Sequence, residues 1–126
     1  MNKKDERIAI KNKFGGRCAY CGELLPDKGW HVDHVKPVIR TGYKPEPMYC
    51  KENDNYDNKY PACASCNINK HQLSIEEFRR MIKNFTRTMN ERLVQYRIAK
   101  KYNLIKETGE PVVFYFEKFN SGETKQ

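Results

Sequence analysis

The chain has no long apolar run: nowhere in its 126 residues do the roughly 20 consecutive apolar residues of a membrane-spanning helix occur. It has no internal repeat and no low-complexity tract, which excludes solenoid and repeat-array architectures. Core-forming material is scarce, with 38% hydrophobic residues, 32% charged residues and one tryptophan. A single domain of 15.0 kDa buries a smaller share of its surface than a large one, so a covalent or metal staple adds what its core lacks. The opening stretch MNKKDERIAIKNKF has no apolar segment of the secretory-signal kind. The expectation is a protein of a reducing cytoplasm, without membrane contact.

What the chain does have is positive charge and paired cysteines. Lysine plus arginine number 24 against 16 acidic residues, a net +8, and that balance favours a polyanionic partner, nucleic acid first. Four of the five cysteines form two half-sites, Cys18-x-x-Cys21 and Cys63-x-x-Cys66, with 41 residues between them. Zinc takes tetrahedral thiolate coordination, and each C-x-x-C turn presents two sulfurs to one ion. A redox C-x-x-C accounts for one pair and not two, and its βαβ frame is missing. The reading is one structural Zn²⁺ on Cys18, Cys21, Cys63 and Cys66, able to contribute on the order of 10–16 kcal/mol to folding. Cys50 is left over as a loop or half-buried thiol.

Residues 5–14 predict a short helix that Gly15 and Gly16 stop. Trp30 to Val35 reads as a short strand that Pro37 ends, and Lys59 to Ala62 as a second one. Residues 39–57, rich in Gly, Pro, Asn, Asp and Lys, read as a long surface loop. A helix is expected from Cys66 or Asn67 and another from Ser74, where Glu76 and Glu77 suit the positive helix end. Phe78, Ile82, Phe85, Met89, Leu93 and Tyr96 recur at helical spacing and read as core packing; one bent helix or two can cover residues 74–102. Val112 to Phe119 (VVFYFEKF) reads as the strongest strand of the chain.

Between and after the cysteine pairs lie Trp30-His-Val-Asp-His-Val-Lys-Pro37 and Asn67-Ile-Asn-Lys-His71. Phosphodiester hydrolysis needs a base to activate water and positive charge on the leaving oxygen. His34 is a suitable base, with an unperturbed imidazole pKa of about 6.5. Mg²⁺ asks for few protein oxygens, and Asp33 and Asn67 can provide two. His71, four residues after Asn67 on the same helical face, can add a nitrogen for a softer divalent metal. His31 points away from His34 by strand alternation and reads as a surface residue.

The order C-x-x-C, Asp-His at a strand end, Asn, then C-x-x-C-Asn-x-x-Lys resembles the HNH (ββα-metal) endonucleases, in particular their small four-cysteine phage and bacterial members. The likeness covers about Arg17 to Lys70, with SIEEFR at Ser74 also similar. It implies an α+β fold with a ββα-metal, treble-clef-like core and a four-cysteine zinc knuckle, extended by C-terminal helices and a terminal strand. The whole of 1–126 is then one nuclease domain, with a core over about 14–84 and an extension over about 85–119. By residue, the resemblance makes His34 the general base, Asp33 and Asn67 ligands of the catalytic metal, and Asn58 the central asparagine that fastens the loop. Asn58 precedes Asn67 by nine residues, as in the family, while a long stretch after His34 leaves Asn53 and Asn55 as rivals. His71 sits where some members place a second metal-binding histidine.

The implied activity is metal-dependent hydrolysis of double-stranded DNA in a bacterial or phage-infected host cytoplasm. Lys36, Lys70, Arg79, Arg80, Lys83 and Arg87 are the candidate phosphate contacts, although most such charge rows are merely solvated faces. The alternatives are a non-catalytic zinc module that binds nucleic acid and a subunit of a larger phage or defence complex.

Overall fold

The computed structural model describes residues 2–40, 48–49 and 51–122. Helix α1, Lys3–Lys11, starts where the Asn2 side chain accepts the Asp5 N–H, and Asp5 and Glu6 occupy its first turn. It buries Ile10, and Phe14 follows it into the core. Two strands then build the centre. β1, His31–His34, pairs antiparallel with the strand Lys59–Ala62, so that Asp33 faces Tyr60 and His34 faces Lys59. Helix α2, Ala64–Lys70, leaves directly from the second strand, with Cys63 as its N-cap, and packs on β1. The result is a ββα unit.

Among the described residues of the segment 39–57, the two-residue strands β2, Ile39–Arg40, and β3, Met48–Tyr49, pair antiparallel, which makes Lys59–Ala62 strand β4. Two 3₁₀ turns follow, Lys51–Asn53 and Tyr56–Asn58. Cys50 lies outside the described residues. The region after Ser74 divides into three helices: α3, Ile75–Lys83; α4, Phe85–Arg92; and α5, Val94–Lys101. Ser74 and Glu77 form a reciprocal capping box at the start of α3. The apolar stripe read as core splits accordingly. Phe78 and Tyr96 are buried, whereas Phe85 and Leu93 are exposed.

The expected terminal strand over Val112–Phe119 is corrected. Residues 111–114 are extended without a strand partner among the described residues, and Tyr115–Ser121 is helix α6. Two contacts override the β-propensity of this segment. The Glu117 carboxylate accepts the Phe114 N–H at the helix start. The free N–H groups of Tyr115 and Phe116 donate to the carbonyls of Tyr20 (3.0 Å) and Ala19 (2.7 Å) in the first cysteine turn, which satisfies donors that a helix N-terminus leaves open. The turn is shaped for this docking. Gly22 holds φ +79, and a Cβ there would lie 2.9 Å from the Tyr115 ring.

Aromatic rings fill the core between the cysteine turn, α3 and α6. Phe78 stacks on Phe114 with centroids 5.3 Å apart, and Tyr20 meets both rings edge to face. Arg79 clamps α3 to α6, donating to both Glu117 oxygens (2.8 and 2.7 Å), to the Val112 carbonyl and to Glu76. No helix among the described residues is long and apolar enough to cross a membrane.

Candidate active site and metal centre

The four-cysteine cluster forms where the knuckle meets α2. Cys18 and Cys21 sit on a turn closed by the Cys18 N–H to the Glu23 carbonyl (2.8 Å), and the Ala19 N–H ties that turn to Pro61 on β4 (2.9 Å). Cys63 and Cys66 open α2. The four sulfurs all lie within 4.8 Å of one another, and Cys21 and Cys63 are 3.8 Å apart. A tetrahedral ZnS₄ centre with Zn–S bonds of about 2.3 Å requires sulfur–sulfur separations near about 3.8 Å. The geometry therefore fits such an ion. Backbone N–H groups of Tyr20 and Cys66 donate to the sulfurs of Cys18 and Cys63, each at 3.4 Å.

The electrostatics agree. A hydrogen bond from Cys66 draws the Cys18 thiol down, while the same contact pushes Cys66 up and burial pushes Cys21 up. Protein alone thus stabilises one thiolate at the expense of its neighbours. A cation removes that conflict, because all four sulfurs can then ionise together.

The second constellation lies at the end of β1. Asp33, His34, Asn67 and His71 line one cavity of about 180 Å³, together with Val32, Pro37, Val38 and Gln72. Strand β1 contributes the first pair; Asn67 lies on α2, and His71 is the C-cap residue of that helix, its N–H donating to the Asn67 carbonyl (3.0 Å). A carboxylate, an amide oxygen and an imidazole around one small cavity are a donor set that suits a divalent cation. His71 ends α2 at φ +49, ψ −118, a conformation that favours glycine and is sparsely populated by other residues. A histidine is thus held under backbone strain on the cavity wall.

Asp33 is only 4% exposed. Its Oδ2 accepts from the Tyr20 hydroxyl and lies 3.1 Å from Lys70 Nζ. Burial pushes the Asp33 carboxyl up, while Lys70 and Tyr20 pull it down. Lys70, expected as a solvated lysine within reach of a phosphate, is corrected: it is fully buried. Its ammonium also donates to the carbonyls of His34 and Val35, each at 3.2 Å, so a buried charge is met by one carboxylate and two backbone oxygens. Arg79 is corrected likewise, its guanidinium being committed to Glu117, Glu76 and Val112. Lys36, Arg80, Lys83 and Arg87 are exposed. His31 is exposed too.

Of the three asparagines in question, Asn58 spans the loop. Its Oδ1 accepts the Lys36 N–H (2.9 Å), and its amide donates to the carbonyls of Lys36 (2.8 Å) and Asn53 (2.6 Å). Asn53 donates to Pro37 O, and Asn55 caps the short turn Tyr56–Asn58 by accepting the Asn58 N–H. The chain segment after β1 is therefore pinned to the segment before β4. Sequence reasoning missed Asp54, whose Oδ1 is 2.8 Å from His34 Nε2. No spacing signal announces it; only its place in an Asn- and Asp-rich stretch does.

Residues 18–73 match the family model described as HNH endonuclease, a span that contains both cysteine pairs, β1, β4 and α2. Over 98 residues the chain is 32% identical to the Bacillus subtilis (strain 168) protein named "SPbeta prophage-derived putative HNH endonuclease YoqL", covering 77% of this chain and 40% of that one. The chain therefore spans less than half the length of this relative. No solved structure matches it. With the cysteine cluster, the ββα unit and the sequence match all falling on the same residues, the chain carries a domain of the HNH endonuclease family.

Proposed function

We propose that the chain is a metal-dependent DNA endonuclease whose centre is the cavity lined by Asp33, His34, Asn67 and His71. That shared cavity is the observation that carries the reading, since a pure nucleic-acid binder has no need of a base and a ligand set in one place. His34 takes a proton from water, the water oxygen attacks phosphorus in line, and the P–O3′ bond breaks; the departing 3′-oxygen takes up a proton from solvent, leaving 5′-phosphate and 3′-hydroxyl ends. Asp33 and Asn67, with His71 for a softer ion, would hold Mg²⁺ or another divalent metal. When bound, that ion supplies positive charge to the departing oxygen. Asn58 keeps the two chain segments around His34 in register. Zinc on the four cysteines holds the ββα unit together and takes no part in the chemistry.

Lys36, Arg80, Lys83 and Arg87 supply the exposed positive charge for the phosphate backbone, which makes binding weaken steeply with salt. The test is plasmid cleavage by wild type and His34→Ala, side by side, with Mg²⁺, Mn²⁺ or Ni²⁺ and with EDTA. Wild type is expected to nick or linearise the plasmid only with metal. His34→Ala is expected to lose cleavage by about 10²–10⁴-fold, the usual worth of a general base, while keeping its zinc. Undiminished cleavage by His34→Ala removes His34 from the reaction.

A further inference from the structure

His34 is 20% exposed at its side chain and borders two cavities. One is the metal cavity; the other, about 370 Å³, is lined by Glu6, Arg7, Asp54 and Lys59 among others. On this second side the imidazole meets a carboxylate, with His34 Nε2 2.8 Å from Asp54 Oδ1. An ionised carboxylate only accepts hydrogen bonds, so Nε2 must carry the proton. The lone pair of neutral His34 is then on Nδ1.

The contact is built rather than incidental. Asp54 directly follows Asn53, whose carbonyl accepts from the Asn58 amide and whose own amide donates to Pro37 O. The Asp54 N–H closes the preceding turn on Lys51 O (2.9 Å), and Asn55 donates to Glu52 O (2.8 Å). Lys59, opposite His34 in the β-ladder, stands 3.6 Å from the same Asp54 oxygen and 2.7 Å from Glu6. The loop that Asn58 fastens therefore delivers one carboxylate to the far side of the imidazole.

We infer that Asp54 is a positioning residue for the base: it holds His34 in the Nε2–H tautomer, presents Nδ1 to the attacking water, and faces the imidazolium that forms. The inference rests on the nuclease reading. In the balanced step a proton passes from water to Nδ1 while the Nε2 proton stays in place, shared with Asp54. Asp54 is not among the residues that line the cavity of Asp33, Asn67 and His71. Its effect is on turnover and not on substrate binding.

Two variants of the whole chain test this, Asp54→Ala and Asp54→Asn. The first removes the acceptor; the second keeps a carbonyl oxygen for Nε2–H and removes the charge. Nitrogen-15 NMR of the histidine rings, above the imidazole titration and with His34→Ala for assignment, reads the tautomer without any substrate. Wild type is expected to show His34 protonated at Nε2, and Asp54→Ala a mixture of tautomers. In metal-supplemented cleavage, Asp54→Ala is expected to lower kcat by about 10- to 100-fold, as loss of an orienting partner commonly does, with KM held. Asp54→Asn recovers part of that loss. Wild type protonated at Nδ1, or Asp54→Ala turning over as fast as wild type, overturns the inference. A wild type with the Nε2–H tautomer that cleaves nothing under any metal overturns the nuclease reading instead, and the role of Asp54 with it.

Discussion

The ββα unit and the arm formed by α4, α5 and the following residues to 107 are held in opposite ways. In the first, distant parts of the chain are cross-linked through polar chemistry: four sulfurs from two turns, and the buried Lys70 on Asp33 and the end of β1. In the arm, apolar side chains stay in solvent, with Leu104 79% and Tyr102 73% exposed and Tyr96 buried. What closes the arm is a clasp of its own polar groups. Lys100 donates to Asn90 (2.8 Å) and pairs with Glu107 (2.6 Å), and Asn90 donates to Glu107 (3.0 Å). The proposed chemistry sits in the region whose elements are cross-linked in this way. An active centre needs that rigidity, since small displacements of its groups are costly.

Three changes separate the regions. Cys63→Ser should have the largest effect. It removes a sulfur from the cluster while leaving a hydroxyl that can still cap α2, and metal-coupled folding free energy is on the order of 10 kcal/mol. Zinc content should fall and far-ultraviolet circular dichroism should show unfolding of the whole ββα unit. A stable, zinc-replete Cys63→Ser protein would break the comparison at its root.

Lys70→Met comes next. Removing one partner of a buried pair leaves Asp33 uncompensated, and such losses cost about 3–5 kcal/mol. Urea unfolding should show that loss with zinc still bound. A midpoint equal to wild type would mean that the buried ammonium does not support the strand end.

Acid also loosens the arm. The hydrogen bond from Lys100 holds the Glu107 carboxyl below its usual range. A group depressed on folding stabilises above its unfolded value and loses that contribution as pH falls through its folded value. Hydrogen exchange over residues 85–107 should therefore quicken at pH below the ordinary glutamate range, near about 4.3, and Glu107→Gln should show the quicker exchange already at neutral pH. Exchange in β1 and β4 should be unchanged by Glu107→Gln at neutral pH. Matched acceleration in both regions by Glu107→Gln would join what the structure separates.

The same contrast explains what could be read from the chain in advance. The cysteine pairs, the strands at 31–34 and 59–62 and the cap at Ser74 announce themselves because ligand spacing, Pro37 and a capping box are local signals. Lys70 does not, because lysine is almost never fully buried unless paired, and its partners lie 35 to 37 residues back in the chain. Asp54 pairs with a histidine 20 residues away, through a loop whose path is set by Asn58. VVFYFEKF carries strong β-propensity and becomes extended chain and helix because Glu117 caps it and the knuckle accepts its N–H groups. Each unread feature depends on a contact between segments remote in sequence, which periodicity does not encode.

The central claim is that this small domain holds two metals of different kinds, one on thiolates and one beside His34. Manganese binding to zinc-loaded protein, followed by electron paramagnetic resonance of the free ion, tests it most directly. Wild type is expected to take up one Mn²⁺, and Asn67→Ala to lose at least tenfold in affinity, as removal of a direct ligand should, with its zinc retained. Wild type that binds no Mn²⁺ beyond its zinc, or Asn67→Ala that binds it as tightly as wild type, would contradict the account.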